Sequence, residues 1–251
     1  MMNKMLVFSF FIILFSGCSN APKDAQYIVD QSIIAHGFED LKGKHIQFEF
    51  RDYAYQIRRG SFGYEYTRER IITDSLQNSQ EVRDVILNGG FTRTINDEIV
   101  ELADSISAKY FRSVNSVAYF FQLPYGLNDS AVKKEYIGVV NLENQPYYAL
   151  KVSFDENGGG EDFEDEFRYY FHLNTFKLGY LSYRYFTDGG GVRFRKVIEE
   201  KNVNSMFFMD FENYKAPKAA DLDSLPYYFH TQKLSLLSRI ENENIQVNEL
   251  E

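Results

Sequence analysis

The sequence predicts an α+β protein in which one antiparallel β-sheet carries two helices on one face. Three observations lead there. Most of the chain alternates apolar and polar residues with a period of two. Two segments, Ala25 to His36 and Ile106 to Phe121, repeat instead at helical spacing. No series of alternating strand–helix–strand units occurs, so a TIM barrel or a Rossmann domain is not expected. Composition agrees, with 23 Phe, 19 Tyr and no Trp, because aromatic side chains suit pleated, half-buried surfaces. The net charge of −9 argues against nucleic acid as a partner, since no basic surface is available to neutralise phosphates.

The chain opens MMNKMLVFSFFIILFSGCSN. Lys4 is a short positive start, and Leu6 to Phe15 is an apolar run broken only by Ser9. The run is too short for a membrane span, which needs about 20 residues. It fits the apolar stretch of a signal peptide. Ser16 and Gly17 then precede Cys18, the sole cysteine. The pattern resembles the lipobox of bacterial lipoproteins, with Phe15 where Leu is usual. The resemblance implies a signal peptide over 1–17, an acylated Cys18, a tether over 18–24 and one domain over 25–251. It implies a membrane partner through the lipid, and the lipoprotein-processing and sorting machinery as further partners. Ser19 and Asn20 do not resemble an inner-membrane retention signal, so the expected place is the periplasmic face of the outer membrane.

Within the domain, Ala25 to His36 reads as a helix ended by Gly37. Ile46, Phe48 and Phe50 alternate, and then the phase slips to Tyr53, Tyr55 and Ile57, which reads as a β-bulge near Asp52. Phe62, Tyr64 and Tyr66 continue in strand, and Val82 to Leu87 is closed by Asn88-Gly89-Gly90. Asn96-Asp97-Glu98 marks a hairpin. The second helix should be capped by Asp104 or Ser105, bury Ile106, Tyr110, Val114, Val117 and Phe121, and end at Leu123-Pro124. Strands follow at Tyr136–Leu142, Tyr147–Phe154, Phe167–Leu173, Tyr180–Phe186, Val192–Ile198 and Ser205–Phe211, and the tail holds a short helix and a last strand.

Two glycine-bearing loops stand out. DENGGGEDFEDE, residues 155–166, matches part of a calcium-loop pattern, with Asp155, Asn157, Gly160 and Glu166 at positions 1, 3, 6 and 12. Its flanks alternate like strands, whereas an EF-hand needs helices on both sides. It reads as an acidic hairpin loop, with no metal site expected. TDGGGVRFR, residues 187–195, places Arg193 and Arg195 two apart on one strand face. Alternate connections of antiparallel strands share an end, so the two loops should meet at one rim. There Arg193 or Arg195 should reach a carboxylate among Glu161, Asp162, Glu164 and Asp165.

No catalytic signature is legible. The histidines (His36, His45, His172 and His230) form no metal-binding spacing. There is no G-x-S-x-G, phosphate loop or dinucleotide fingerprint. No catalytic residue and no cofactor is assigned.

Residues 166–214, EFRYYFHLNTFKLGYLSYRYFTDGGGVRFRKVIEEKNVNSMFFMDFENY, resemble the strand–turn–strand run of LolA/LolB-like lipoprotein localisation factors. SVNSVAYFFQLPYGLND, NGGGEDFEDEF and TDGGGVRFR are similar to segments of Bacteroidota lipoproteins of unknown function. The resemblance implies that the sheet is a curled half-barrel wrapped around two helices and that it shelters a hydrophobic or amphipathic ligand. The Phe and Tyr surplus fits such a pocket. Candidate ligand-binding residues are Tyr119, Phe120 and Tyr125 from the first segment and Glu161, Asp162, Asp188, Arg193 and Arg195 from the glycine loops. The expected function is non-enzymatic binding or carriage. The alternatives are a lyase- or hydrolase-type enzyme with its polar site at the glycine-loop rim, and a structural or interaction module of the outer membrane.

Overall fold

The computed structural model describes residues 24–157 and 163–250. Helix α1 (Ala25–Ala35) starts where the Asp24 side chain accepts from the Gln26 N–H, as an N-cap should. It ends at Gly37, whose φ is +70. A Cβ there would stand 2.1 Å from the Ser205 carbonyl oxygen, so glycine is required by both backbone and space.

Six strands then run antiparallel in order: β1 (Lys44–Phe50), β2 (Tyr53–Gly60), β3 (Gly63–Thr73), β4 (Ser79–Leu87), β5 (Gly90–Ile95) and β6 (Glu98–Ile99). The phase slip at Asp52 is a two-residue hairpin turn and not a bulge. Phe50 faces Tyr53, Phe48 faces Tyr55 and Ile46 faces Ile57. Cross-strand partners lie on one face of the sheet, so a tight turn shifts the apolar parity just as a bulge would. Asn96 and Asp97 form the expected hairpin turn, both at positive φ, with Ile95 opposite Glu98.

Helix α2 (Asp104–Phe121) follows. Its N-cap is Ala103, with no side-chain cap, and Asp104 lies in the first turn, where a carboxylate still favours the helix dipole. The buried stripe is Val114, Ala118 and Phe121. Phe121 stacks on Phe48 at 3.7 Å and on Phe208 at 4.8 Å between centroids. Ile106 is exposed, and Tyr110 and Val117 are only half-buried. The expected stripe is thus shifted at Val117, whose place in the core is taken by Ala118.

The remaining strands are β7 (Val132–Leu142), β8 (Gln145–Phe154), β9 (Glu166–His172), β10 (Leu178–Tyr185), β11 (Gly191–Val203), β12 (Met206–Ala216), β13 (Ser235–Ile240) and β14 (Glu243–Glu249), with the short helix α3 (Leu225–His230) before β13. The single sheet expected from sequence is two seven-stranded antiparallel sheets, ordered β14-β1-β2-β3-β4-β5-β6 and β13-β12-β11-β10-β9-β8-β7. The break falls at residues 241–242, where the chain leaves β12 and crosses to β1. Asn242 turns that corner. Its N–H donates to Asp210 Oδ1 (2.9 Å) and its amide to the Met209 carbonyl (3.1 Å). Lys201 reaches both the Asn242 carbonyl (2.7 Å) and Asp210 (2.6 Å). These bonds replace a ladder between β13 and β14, as happens where a strand switches sheets.

One core joins α1, α2 and the inner faces of both sheets. A second cluster lies on the outer face of the second sheet, where Tyr170, Tyr180 and Phe194 are covered by Leu222, Leu225 and Phe229. Strand β9 is therefore buried on both faces, which explains its nearly unbroken aromatic run. Helix α2 is tied to the first sheet by an ion cluster. Asp84 accepts from Arg68 (2.6 Å) and from Arg93 (2.6 Å), and Arg68 also donates to Ser113 Oγ (2.7 Å). Among the described residues, no helix is long and apolar enough to cross a membrane.

Candidate ligand cavity

A cavity of about 580 Å³ opens between α2, the inner face of β9–β12 and the β1–β2 turn. Local periodicity places its walls. On α2, Arg112, Ser116, Tyr119 and Phe120 follow one helical face beside the core stripe. On the sheet, Phe167, Tyr183, Tyr185, Arg193, Arg195 and Asn213 alternate inward along four adjacent strands. Phe120 is surrounded by Phe167 (6.3 Å), Tyr183 (5.3 Å) and Tyr119 (5.3 Å). The Tyr119 and Tyr169 hydroxyls share a hydrogen bond of 2.6 Å. Burial pushes both phenols well up from their ordinary value, so both keep their protons at neutral pH.

The polar side of the wall is cationic. Arg51, Lys109, Arg112, Arg193 and Arg195 line the cavity against Asp165 and Asp188, in a chain whose net charge is −9. Arg195 is 7% exposed. Its guanidinium lies 3.7 Å from the Phe120 ring centroid, and its Nη2 donates to Tyr183 Oη at 2.9 Å. Among the described residues its Nε has no acceptor and Asn213 Oδ1 has no donor. Arg193 donates to Tyr185 Oη (2.6 Å) and to the Val192 carbonyl (3.0 Å).

The flanking strands place the two glycine loops at the same end of the second sheet. The Phe186 N–H donates to Asp165 Oδ1 at 3.3 Å, and Asp188 approaches Arg112 of α2 at 3.8 Å. In the second loop, Gly190 has φ +67, and a Cβ would stand 2.9 Å from the Tyr185 carbonyl oxygen. That position fixes the turn into β11 and so the direction of Arg193. The expected pairing of Arg193 or Arg195 with acidic-loop carboxylates is not found among the described residues. Tyrosine hydroxyls on β10, diagonal across the ladder, accept from both guanidinium groups. Strands β8 and β9 flank the acidic loop, so the helices of an EF-hand are lacking.

Of the sequence candidates, Tyr119, Phe120, Asp188, Arg193 and Arg195 line the cavity. Tyr125 does not. It packs under Arg59 at 5.2 Å, at the opposite end of the first sheet from Arg51. Cys18, Glu161 and Asp162 lie outside the described residues. Sequence reasoning missed Arg51, Lys109, Arg112 and Asn213. Asn213 had a signal, because it shares an inward face with Met209 and Phe211. Lys109, Arg112 and Ser116 had one too, at helical spacing beside the apolar stripe.

Beside the mouth, β3 and β4 extend past the β1–β2 turn. Ala54 pairs with Glu69, and the hairpin continues to Thr73 opposite Ser79. Its tip carries Ile71 and Leu76, 72% and 79% exposed.

The chain belongs to a family of unknown function, DUF6503, whose model matches residues 3–242. No match to it is found among curated proteins. Among solved structures it is similar to a LolA superfamily protein from Nitrosomonas europaea, at 10% identity and TM-score 0.48, over 90% of this chain and 94% of that one. It is also similar to a DUF1329 family protein from Desulfovibrio piger, at 6% identity and TM-score 0.43, over 90% and 93%. A third is an outer membrane lipoprotein-sorting protein domain from Vibrio parahaemolyticus, at 6% identity and TM-score 0.43, over 90% and 94%. Likeness at this level fixes no function.

Proposed function

We propose that the protein is a lipid-anchored envelope component that binds or carries an amphipathic ligand in the cavity between α2 and the second sheet. One observation carries the reading: a single cavity wall that is aromatic on one side and guanidinium-rich on the other. Its volume of about 580 Å³ falls within the roughly 300–1,000 Å³ of small-molecule sites. The apolar half suits an alkyl chain, and the polar half suits a head group. Acylation at Cys18 would hold the domain at a bilayer.

The test is native mass spectrometry of protein extracted gently from its own membrane, followed by displacement titrations with n-alkanols of increasing length. A co-purifying lipid mass is expected. Each added methylene should tighten binding about fourfold, from ~0.8 kcal/mol per buried CH₂. A protein without lipid that shows no dependence on chain length would overturn the reading. The anchor is tested separately. Cys18→Ser should move the protein into the soluble periplasmic fraction, and a wild-type protein already found there would contradict the anchoring.

A further inference from the structure

We infer that the cavity is an oxyanion site as well as an apolar one: it takes an amphiphile whose head group is a carboxylate or phosphate, received by Arg195 with Arg193 beside it. This rests on the cavity-binding reading and names the ligand class within it. Arg195 is 7% exposed and lines the cavity. A guanidinium cannot shed its charge at physiological pH, so burial must be compensated by a counter-charge or by hydrogen-bond acceptors. Among the described residues no carboxylate pairs with it. The protein supplies one hydroxyl acceptor, Tyr183 Oη, and the face of Phe120. Among the described residues Nε is left without an acceptor. Arg193, on the same strand face, is likewise held by a tyrosine hydroxyl and a carbonyl.

The arrangement is built rather than accidental. Tyr183 and Tyr185 brace the two guanidinium groups from the neighbouring strand, and Phe120 holds Arg195 flat from α2. Each guanidinium is thereby oriented while part of its donor set stays unused, which is the state a planar oxyanion completes. Lys109 and Arg51 add positive charge along the same wall, which favours an anion at the mouth, while Arg112 is engaged by Asp188 at 3.8 Å. A cationic or neutral head group would leave Arg195 uncompensated.

The experiment compares four probes with one tail: dodecanoate, dodecyl phosphate, dodecanol and dodecyltrimethylammonium, each titrated against delipidated full-length protein. The two anions should bind at least about tenfold tighter than dodecanol, as expected of charge-assisted hydrogen bonds, and the cation should be weakest. Their relative order distinguishes a carboxylate ligand from a phosphate one. In Arg195→Gln the ratio of anion affinity to dodecanol affinity should collapse toward one. Equal binding of dodecanol and dodecanoate would overturn the oxyanion site and leave the cavity reading standing. Failure of all four probes would overturn both. Should the variant not fold, the ranking in wild-type protein decides alone.

Discussion

Arg68 and Arg93 in the first sheet, and Arg193 and Arg195 in the second, are two arginine pairs flanking the same helix. They differ in what neutralises them. Asp84, 1% exposed, lies between the first pair and accepts from both guanidinium groups at 2.6 Å. Ser113 and the Tyr110 ring, 3.4 Å from the Arg93 guanidinium, complete that cluster. The second pair has tyrosine hydroxyls and aromatic faces, and among the described residues no carboxylate. The first cluster is closed within the protein and fastens α2 to its sheet. The second is oriented but open, and it faces a cavity. Compensation inside the chain marks a structural ion cluster, whereas compensation left to something outside marks a binding site.

The largest expected effect falls on the closed cluster. Asp84→Asn strands the buried Arg68 and the half-buried Arg93, and should cost about 3–5 kcal/mol in urea unfolding. A loss under about 1 kcal/mol would mean that the cluster is not what holds α2. Next is Val117→Asp. Val117 lines the cavity and is only partly buried against the core, so the substitution should cost about 1–2 kcal/mol, less than burial of an unpaired charge, while weakening dodecanol binding. Arg195→Met follows. Without ligand it should change stability by no more than about 1 kcal/mol in either direction, because it removes a buried charge lacking an ionic partner. A penalty matching that of Asp84→Asn would erase the contrast between the two pairs.

The smallest effect comes from a base buried in a third way. His36 is fully buried, with Nδ1 at 2.9 Å from the Ser32 carbonyl and Nε2 without a partner. Burial holds its pKa below the ordinary 6.5, while the Ser32 carbonyl and Glu200 oppose that shift and Lys177 adds to it. The folded state therefore binds fewer protons than the unfolded chain just below pH 6.5. The stabilising contribution is complete above that pH and is lost progressively as pH falls through it toward the folded value. Urea unfolding between pH 7.5 and 5 should show the decline, and His36→Gln should flatten it. An unchanged slope in the variant would place the titration elsewhere.

Much of this architecture was legible in the chain. Alternation located most strands, Asn-Gly and Asn-Asp pairs located turns, and helical spacing located α2 with Val114 and Phe121 on its buried side. The split into two sheets was not legible, because it depends on Asn242 reaching Asp210 and Met209 far away in sequence. The turn at Arg51-Asp52 read as a bulge because both devices shift apolar parity by one. Within the site, Arg193 and Arg195 were visible from their spacing on one strand. Their tyrosine partners were not, since the diagonal contact depends on the register of β10 against β11. Tyr125 looked like a companion of Phe120, but the chain turns after Leu123-Pro124 and carries it to the other end of the first sheet.

The most direct test of the contrast is the thermal midpoint of delipidated protein with and without dodecanoate, in wild type and in Arg195→Met. A ligand present at a hundred times its Kd adds about 2.7 kcal/mol to the folded state. That corresponds to roughly 5–10 °C for a chain of this size. The account predicts that rise in wild type and about half of it or less in Arg195→Met, whose affinity falls by at least about tenfold. An equal rise in both proteins, or none in wild type, would contradict it.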